Sequence, residues 1–243
     1  MECFIVEPRD VTEEELVLRS DEAYHAIKVL RLRDGEKLLA TNLIGTCYEC
    51  AVSGHAQLGP KELEVRCAIL DAWPEFGEPE RKIVLIQGIL AQPARWEMLL
   101  EKATEMGVTA ICPVLTLRTE PREPKRDRGE RILRAAAKQT RRARLPELRE
   151  LSTLTEALHL AREEGRRILM LHEAAELSET LQKALTGIKT ELLAVVVGPE
   201  GGFSDQEVTE ARDRFGASIV SLGTRRLRAE TAAIAALAIA IDR

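Results

Sequence analysis

Residues 192–207 read LLAVVVGPEGGFSDQE, and this stretch decides the fold. LLAVVV is apolar on both faces, the pattern of a strand in a parallel sheet covered by helices on either side. Gly198, Gly201 and Gly202 tolerate positive φ and let backbone approach a ligand closely. Ser204 and Glu207 stand at the S-x-x-E spacing of a capping box, which predicts a helix opening there. The loop is not a P-loop, since the closing Lys-Ser/Thr is missing, and it is not the G-x-G-x-x-G dinucleotide fingerprint. A plain strand-to-helix corner needs fewer glycines, so the stretch reads as a ligand loop.

Just downstream, residues 222–232 read LGTRRLRAETA. A strand over 218–222 ends near Gly223, three arginines follow (Arg225, Arg226 and Arg228), and an alanine-rich helix starts at Ala229. The small side chains of that helix suit tight packing. Three cations just ahead of a helix N-terminus, however, oppose its dipole at a cost of roughly a few tenths of a kcal/mol or more. Unless Glu230 offsets them, the arrangement asks for an anionic partner.

Outward from these loops the chain alternates strand and helix back to residue 82. Strands are expected at 82–87, 110–114, 166–171, 192–197 and 218–222, and helices at 93–106, 127–143, 155–164, 178–185, 205–215 and 229–241. That rhythm is α/β with a mostly parallel sheet. The first seventy residues differ: short strands at 3–6, 15–19, 36–41, 46–53 and 62–72, the last alternating Leu63, Val65, Cys67 and Ile69 with Glu64 and Arg66. One helix, 21–31, interrupts them, with Ser20 or Asp21 as its cap. A small β-barrel is expected over 1–72, a turn-prone linker (WPEFGEP and its flanks) over 73–81, and an α/β domain over 82–243.

A length of 243 residues fits one large domain or two modest ones, and 45% hydrophobic with 31% charged residues excludes a disordered chain. The longest apolar run, 232–241, is about half of what a membrane helix needs. The start MECFIVEPRD has neither a basic lead nor an apolar signal core, so a cytoplasmic protein without a membrane partner is expected. Aromatic residues at 3% argue against recognition by several stacked rings. The net charge of −5 argues against indiscriminate coating of nucleic acid. Yet residues 118–149 hold twelve Lys/Arg against five Asp/Glu, which suits either a selective polyanion contact or a solvated, ion-paired helix face. Cys47 and Cys50 form a C-x-x-C with no second pair or nearby histidine, so strand cysteines are the expectation and no metal is.

The pairing of GPEGGFSxxE with LGxRxLRxETA, in this order, is similar to SPOUT-superfamily methyltransferases, and specifically to the RsmE type. HAIKVLRLRDGEKL (25–38), RWEMLLEKATEMGVTAICPV (95–114) and QTRRARLPEL (139–148) extend the resemblance along nearly the whole chain. It implies a deep trefoil knot behind a PUA-like barrel, a homodimer, S-adenosylmethionine as cofactor, and methylation of N3 of a uridine in small-subunit (16S) ribosomal RNA. Carried onto this sequence, the cofactor residues are Leu171, His172, Gly198, Pro199, Glu200, Gly201, Leu222, Gly223, Leu227, Arg228 and Thr231. Arg228 and Glu230 are the candidate catalytic pair, with no general base identified. RNA contacts are expected from His25, Arg31, Arg95, Lys102, Gln139, Arg142, Arg144, Arg225 and Arg226, although Arg95 and Lys102 equally suit a solvated helix face. The family usually carries arginine ahead of its first strand, where this chain has MECFIVEP, a departure that leaves Arg9 outside the expected RNA contacts. Three other readings compete: a SPOUT enzyme acting on transfer RNA or a ribose hydroxyl, a non-catalytic ribosome-assembly factor, and a nucleotide hydrolase, the last disfavoured by the absent Walker lysine.

Overall fold

The computed structural model describes residues 1–59, 63–119, 124–173, 175, 179–187 and 191–241. The chain divides into two compact units, Met1–Glu78 with Arg134–Leu145, and Pro79–Leu133 with Pro146–Arg243.

The first unit is built on β1 (Cys3–Ile5), β2 (Glu15–Arg19), β3 (Lys37–Thr41), β4 (Thr46–Gln57) and β5 (Leu63–Pro74). They form one sheet in the order β1-β3-β4-β5-β2. β1 runs parallel to β3, and the other pairs are antiparallel. Alternation sends Leu16, Leu18, Leu38, Ala40, Val65 and Cys67 into a common core with Phe4. The expected helix begins as α1 (Ser20–Tyr24) and widens into a π-helix over His25–Val29. The expected cap is not realised: Arg19 is the extended cap residue and no side chain caps the turn. Trp73 and Pro74, expected in a linker, end β5 instead.

The second unit contains β6 (Lys82–Gly88), α2 (Pro93–Glu105), β7 (Ala110–Leu115), the start of α3 (Arg126–Thr140), β8 (Glu147–Leu148), β9 (Ser152–Thr153), α4 (Leu154–Glu163), β10 (Arg167–Leu171), α5 (Leu181–Leu185), β11 (Leu192–Val197), α6 (Asp205–Phe215), β12 (Ser218–Val220) and α7 (Ala229–Ala240). The sheet order is β12-β10-β11-β6-β7-β8, with β9 also on β7. Every pairing in it is parallel. β11 is buried from Leu193 to Val197, as its unbroken apolar run demands. The start expected for α5, residue 178, lies outside the described residues.

Helix starts follow local chemistry. Thr153 and Glu156 cap α4 reciprocally, and Ser204 and Glu207 do the same for α6 as their spacing predicts. α7 is apolar nearly all round and buries Ala229, Ala233, Ala236, Leu237 and Ala240.

Candidate functional site

Three loops leave the carboxyl ends of β12, β10 and β11, neighbours in the parallel sheet, the edge where open α/β sheets place ligands. Hydrogen bonds knit two of them together. His172 N–H donates to the Val220 carbonyl at 3.1 Å, and Ser221 N–H to the Glu179 carbonyl at 2.9 Å. Gly223 N–H donates to Ser221 Oγ at 3.0 Å, and Gly223 holds φ +105°, which residues with a Cβ rarely adopt.

The third loop, starting at Gly198, is pressed against the end of β6. Buried Gln87 donates its Nε2 to the Gly198 carbonyl at 3.2 Å. Beside it, Gly88 has no room for a side chain, because a Cβ would fall 2.5 Å from the Pro199 nitrogen.

Together the loops border a cleft of about 780 Å³, within the size range of small-molecule and cofactor sites. Of the expected cofactor residues, Leu171, His172, Gly198, Pro199, Glu200, Leu222, Gly223, Leu227 and Arg228 line it. Gly201 and Thr231 do not. Gly201 packs on Arg118, where a Cβ would stand 3.1 Å from Arg118 Cβ, and Thr231 is exposed on α7. Glycine backbone and the Leu222 and Leu227 side chains give the cleft the mixed apolar and hydrogen-bonding lining that an adenosine-bearing cofactor needs, so the residues present fit S-adenosylmethionine.

The rim is cationic. Arg225, Arg226 and Arg228 line the cleft as expected, and so does Arg118, which opens the basic window 118–149 but is not singled out within it. Its position after β7, at the same sheet edge, is the signal that could have found it. Among the described residues the acidic ones lining it are Glu173 and Glu200, and Glu173 sits 3.4 Å from Arg226 Nε.

Glu230, expected as one member of the catalytic pair, is buried at the start of α7. It is 4% exposed, is not part of the cleft lining, and faces Arg95, expected to touch RNA, at 3.5 Å. Arg95 also lies 4.0 Å from Glu200, whose carboxylate accepts the Ala91 N–H at 3.2 Å. Lys102 bonds Glu101 and Glu105, each at 2.8 Å, the solvated-face reading.

In the first unit, Arg31 and Gln139 are exposed, and His25 stacks edge-on against Phe4 with centroids 6.0 Å apart. Arg144 is half-exposed and bonds Glu75. Arg142 is a correction: its side chain is 2% exposed and paired at 2.6 Å with Glu78, itself 2% exposed. A guanidinium sealed in this way cannot meet a phosphate without unpacking the unit. The C-x-x-C cysteines are both buried in β4.

A family model described as RNA methyltransferase domain matches residues 77–241, so the parallel-sheet unit and its cleft define an RNA methyltransferase. Ribosomal RNA small subunit methyltransferase E from Mycobacterium bovis is 33% identical over 231 residues, covering 91% of this chain and 84% of that protein. The protein of the same name from Bacillus subtilis is 26% identical, covering 90% and 87%. Among solved structures, ribosomal RNA small subunit methyltransferase E from Neisseria gonorrhoeae, bound to S-adenosyl methionine, superposes with a TM-score of 0.81 at 29% identity, covering 98% of this chain and 95% of that one. The chain belongs to the ribosomal RNA small subunit methyltransferase E family.

Proposed function

We propose that the chain is an S-adenosylmethionine-dependent methyltransferase that methylates N3 of a specific uridine in 16S ribosomal RNA. The single observation that carries this reading is the cleft at the ends of β10, β11 and β12, floored by glycine backbone and rimmed by arginines. When bound, S-adenosylmethionine supplies an electrophilic sulfonium methyl. The chain's work is then placement, which removes translational and rotational entropy from the barrier. Uracil N3 is hidden in a base pair, so the target nucleotide has to be unpaired or splayed out before it enters. As N3 loses its proton the uracil imide gains negative charge, and Arg228, at the mouth of α7, is the cation to stabilise it. Arg225 and Arg226 hold phosphate.

The same reading makes the first unit a PUA-like barrel whose exposed Arg31, Gln139 and Arg144 meet RNA with His25. It also threads α7 through a trefoil knot and pairs two copies in a cytoplasmic homodimer. Support for the pairing comes from α7, which is apolar nearly all round, the pattern of a helix covered on every side, yet leaves Ile239 42% exposed. The domain reading places the barrel near 1–72 and the methyltransferase domain near 82–243, with 134–145 packed into the barrel unit.

Nucleoside mass spectrometry of ribosomal RNA from cells with and without the gene tests the reaction. Loss of 3-methyluridine from 16S RNA is expected. Loss of a transfer RNA or ribose methyl group instead would reassign the substrate.

A further inference from the structure

We infer that Arg118 is an RNA-positioning residue of this site, holding one phosphodiester of the substrate strand next to the target nucleotide. The inference rests on the methyltransferase reading and adds to it a contact made by none of the sequence's glycine or arginine motifs.

Arg118 is exposed yet held in place from three sides. The turn that carries it is closed by the Thr116 N–H donating to Thr119 Oγ1 at 3.0 Å. Its neighbour Leu117 donates its N–H at 2.8 Å to Glu207 Oε1, while the other oxygen of that carboxylate closes the α6 capping box. Arg118 Nη1 then donates to the Gly201 carbonyl at 3.1 Å. One donor of the guanidinium fork is thereby fixed and the plane oriented, leaving the remaining donors of a planar group suited to phosphate.

Charge identifies the recipient. Among the described residues, four arginines, Arg118, Arg225, Arg226 and Arg228, and two glutamates line the cleft. Glu173 is engaged by Arg226 and Glu200 lies near Arg95. Arg118 itself makes no ion pair among the described residues. S-adenosylmethionine carries two positive groups and a single carboxylate, so it does not account for four arginines. A polyanion does. In a protein of net charge −5, such a local field selects where a strand can dock.

The test measures RNA binding without any methyl donor. Arg118→Gln keeps an amide to bond the Gly201 carbonyl but removes the charge, and Arg118→Lys keeps the charge without the fork. Fluorescence anisotropy with a labelled 16S RNA fragment, across a salt series, gives the dissociation constant and the slope of log K against log salt. For Arg118→Gln the slope is expected to shrink by about 0.7–0.9, the loss of one phosphate contact, with affinity falling roughly tenfold. Arg118→Lys should keep the slope. An unchanged slope in Arg118→Gln overturns the proposal whatever happens to cofactor affinity, and leaves Arg118 a clamp on the Gly201 loop. Failure of the functional reading shows separately, as wild-type protein that transfers no methyl group to 16S RNA.

Discussion

Arg95 Nε stands 3.5 Å from Glu230 Oε1, joining the first turn of α2 to the first turn of α7. The other carboxylate oxygen, Oε2, is buried with no hydrogen-bond partner among the described residues. Arg95→Ala would leave that carboxylate without its cation. Stability should fall by about 1–3 kcal/mol, the cost of an unsatisfied buried polar group, read as a shift in the urea midpoint. Arg95→Ala combined with Glu230→Ala should recover part of the loss, since both partners are then gone.

The close approach of Gly88 to Pro199 predicts a site-specific defect. Gly88→Ala forces the Pro199 backbone away from β6 and with it the glycine loop. S-adenosylmethionine affinity, measured by calorimetry, should drop at least about tenfold, because a displacement near 1 Å at a preorganised site has effects of that order or larger. Unchanged affinity would show that the loop shifts without consequence.

Glu207 satisfies the N–H groups of Ser204 and Leu117 at once, each at 2.8 Å. Ser204→Ala should cost about 1 kcal/mol, as cap removals do. Glu207→Ala frees two backbone donors and should cost more, about 1–3 kcal/mol. Chemical denaturation of the two variants side by side ranks them. The reverse order would mean that water replaces the carboxylate fully.

Burial pushes the thiols of Cys50 and Cys67 from an ordinary 9.0 up to about 12. Because the folded values lie above the unfolded ones, the unfolded chain sheds these protons first. The stabilisation is complete below about pH 9 and is lost as pH rises towards 12. Urea midpoints should therefore decline across that window. The decline should be shallower in Cys50→Ala combined with Cys67→Ala, even though that variant is weaker at neutral pH. An identical slope in both proteins would put the alkaline sensitivity elsewhere.

Arg142 and Glu78 form a pair sealed from solvent. Arg142→Ala should destabilise the protein by about 3–5 kcal/mol, the usual result of orphaning one member of a buried pair. Wherever the variant remains folded, the salt dependence of RNA binding should match wild type, because this arginine meets no phosphate.

The contrast between Arg142 and Arg228 shows what the sequence makes legible. β11 and α6 begin and end where their pattern predicts, at Leu192–Val197 and Asp205–Phe215, because an apolar run and a capping box are local signals. The same holds for Gly198, Gly223 and Arg228, whose chemistry is written into contiguous loops. Arg142 looks like its basic neighbours until Glu78, 64 residues earlier, arrives to bury it. Glu230 likewise carries no local sign that Arg95, from another helix, stands beside it. Arg118 has no motif around it and gains meaning only once the end of β7 meets Gly201. The two-residue strands β8 and β9 are too short for any periodicity.

One unit of the protein is assembled from Met1–Glu78 and Arg134–Leu145, with the intervening chain belonging elsewhere. During translation its first portion therefore waits for its last. At synthesis rates of about 5–20 residues per second the delay is roughly 3–13 s, during which the Glu78 carboxylate has no guanidinium to receive it. Maturation of the amino-terminal segment is thus coupled to elongation well past its own coding stretch, and a chain truncated before residue 134 ends without the piece that seals it.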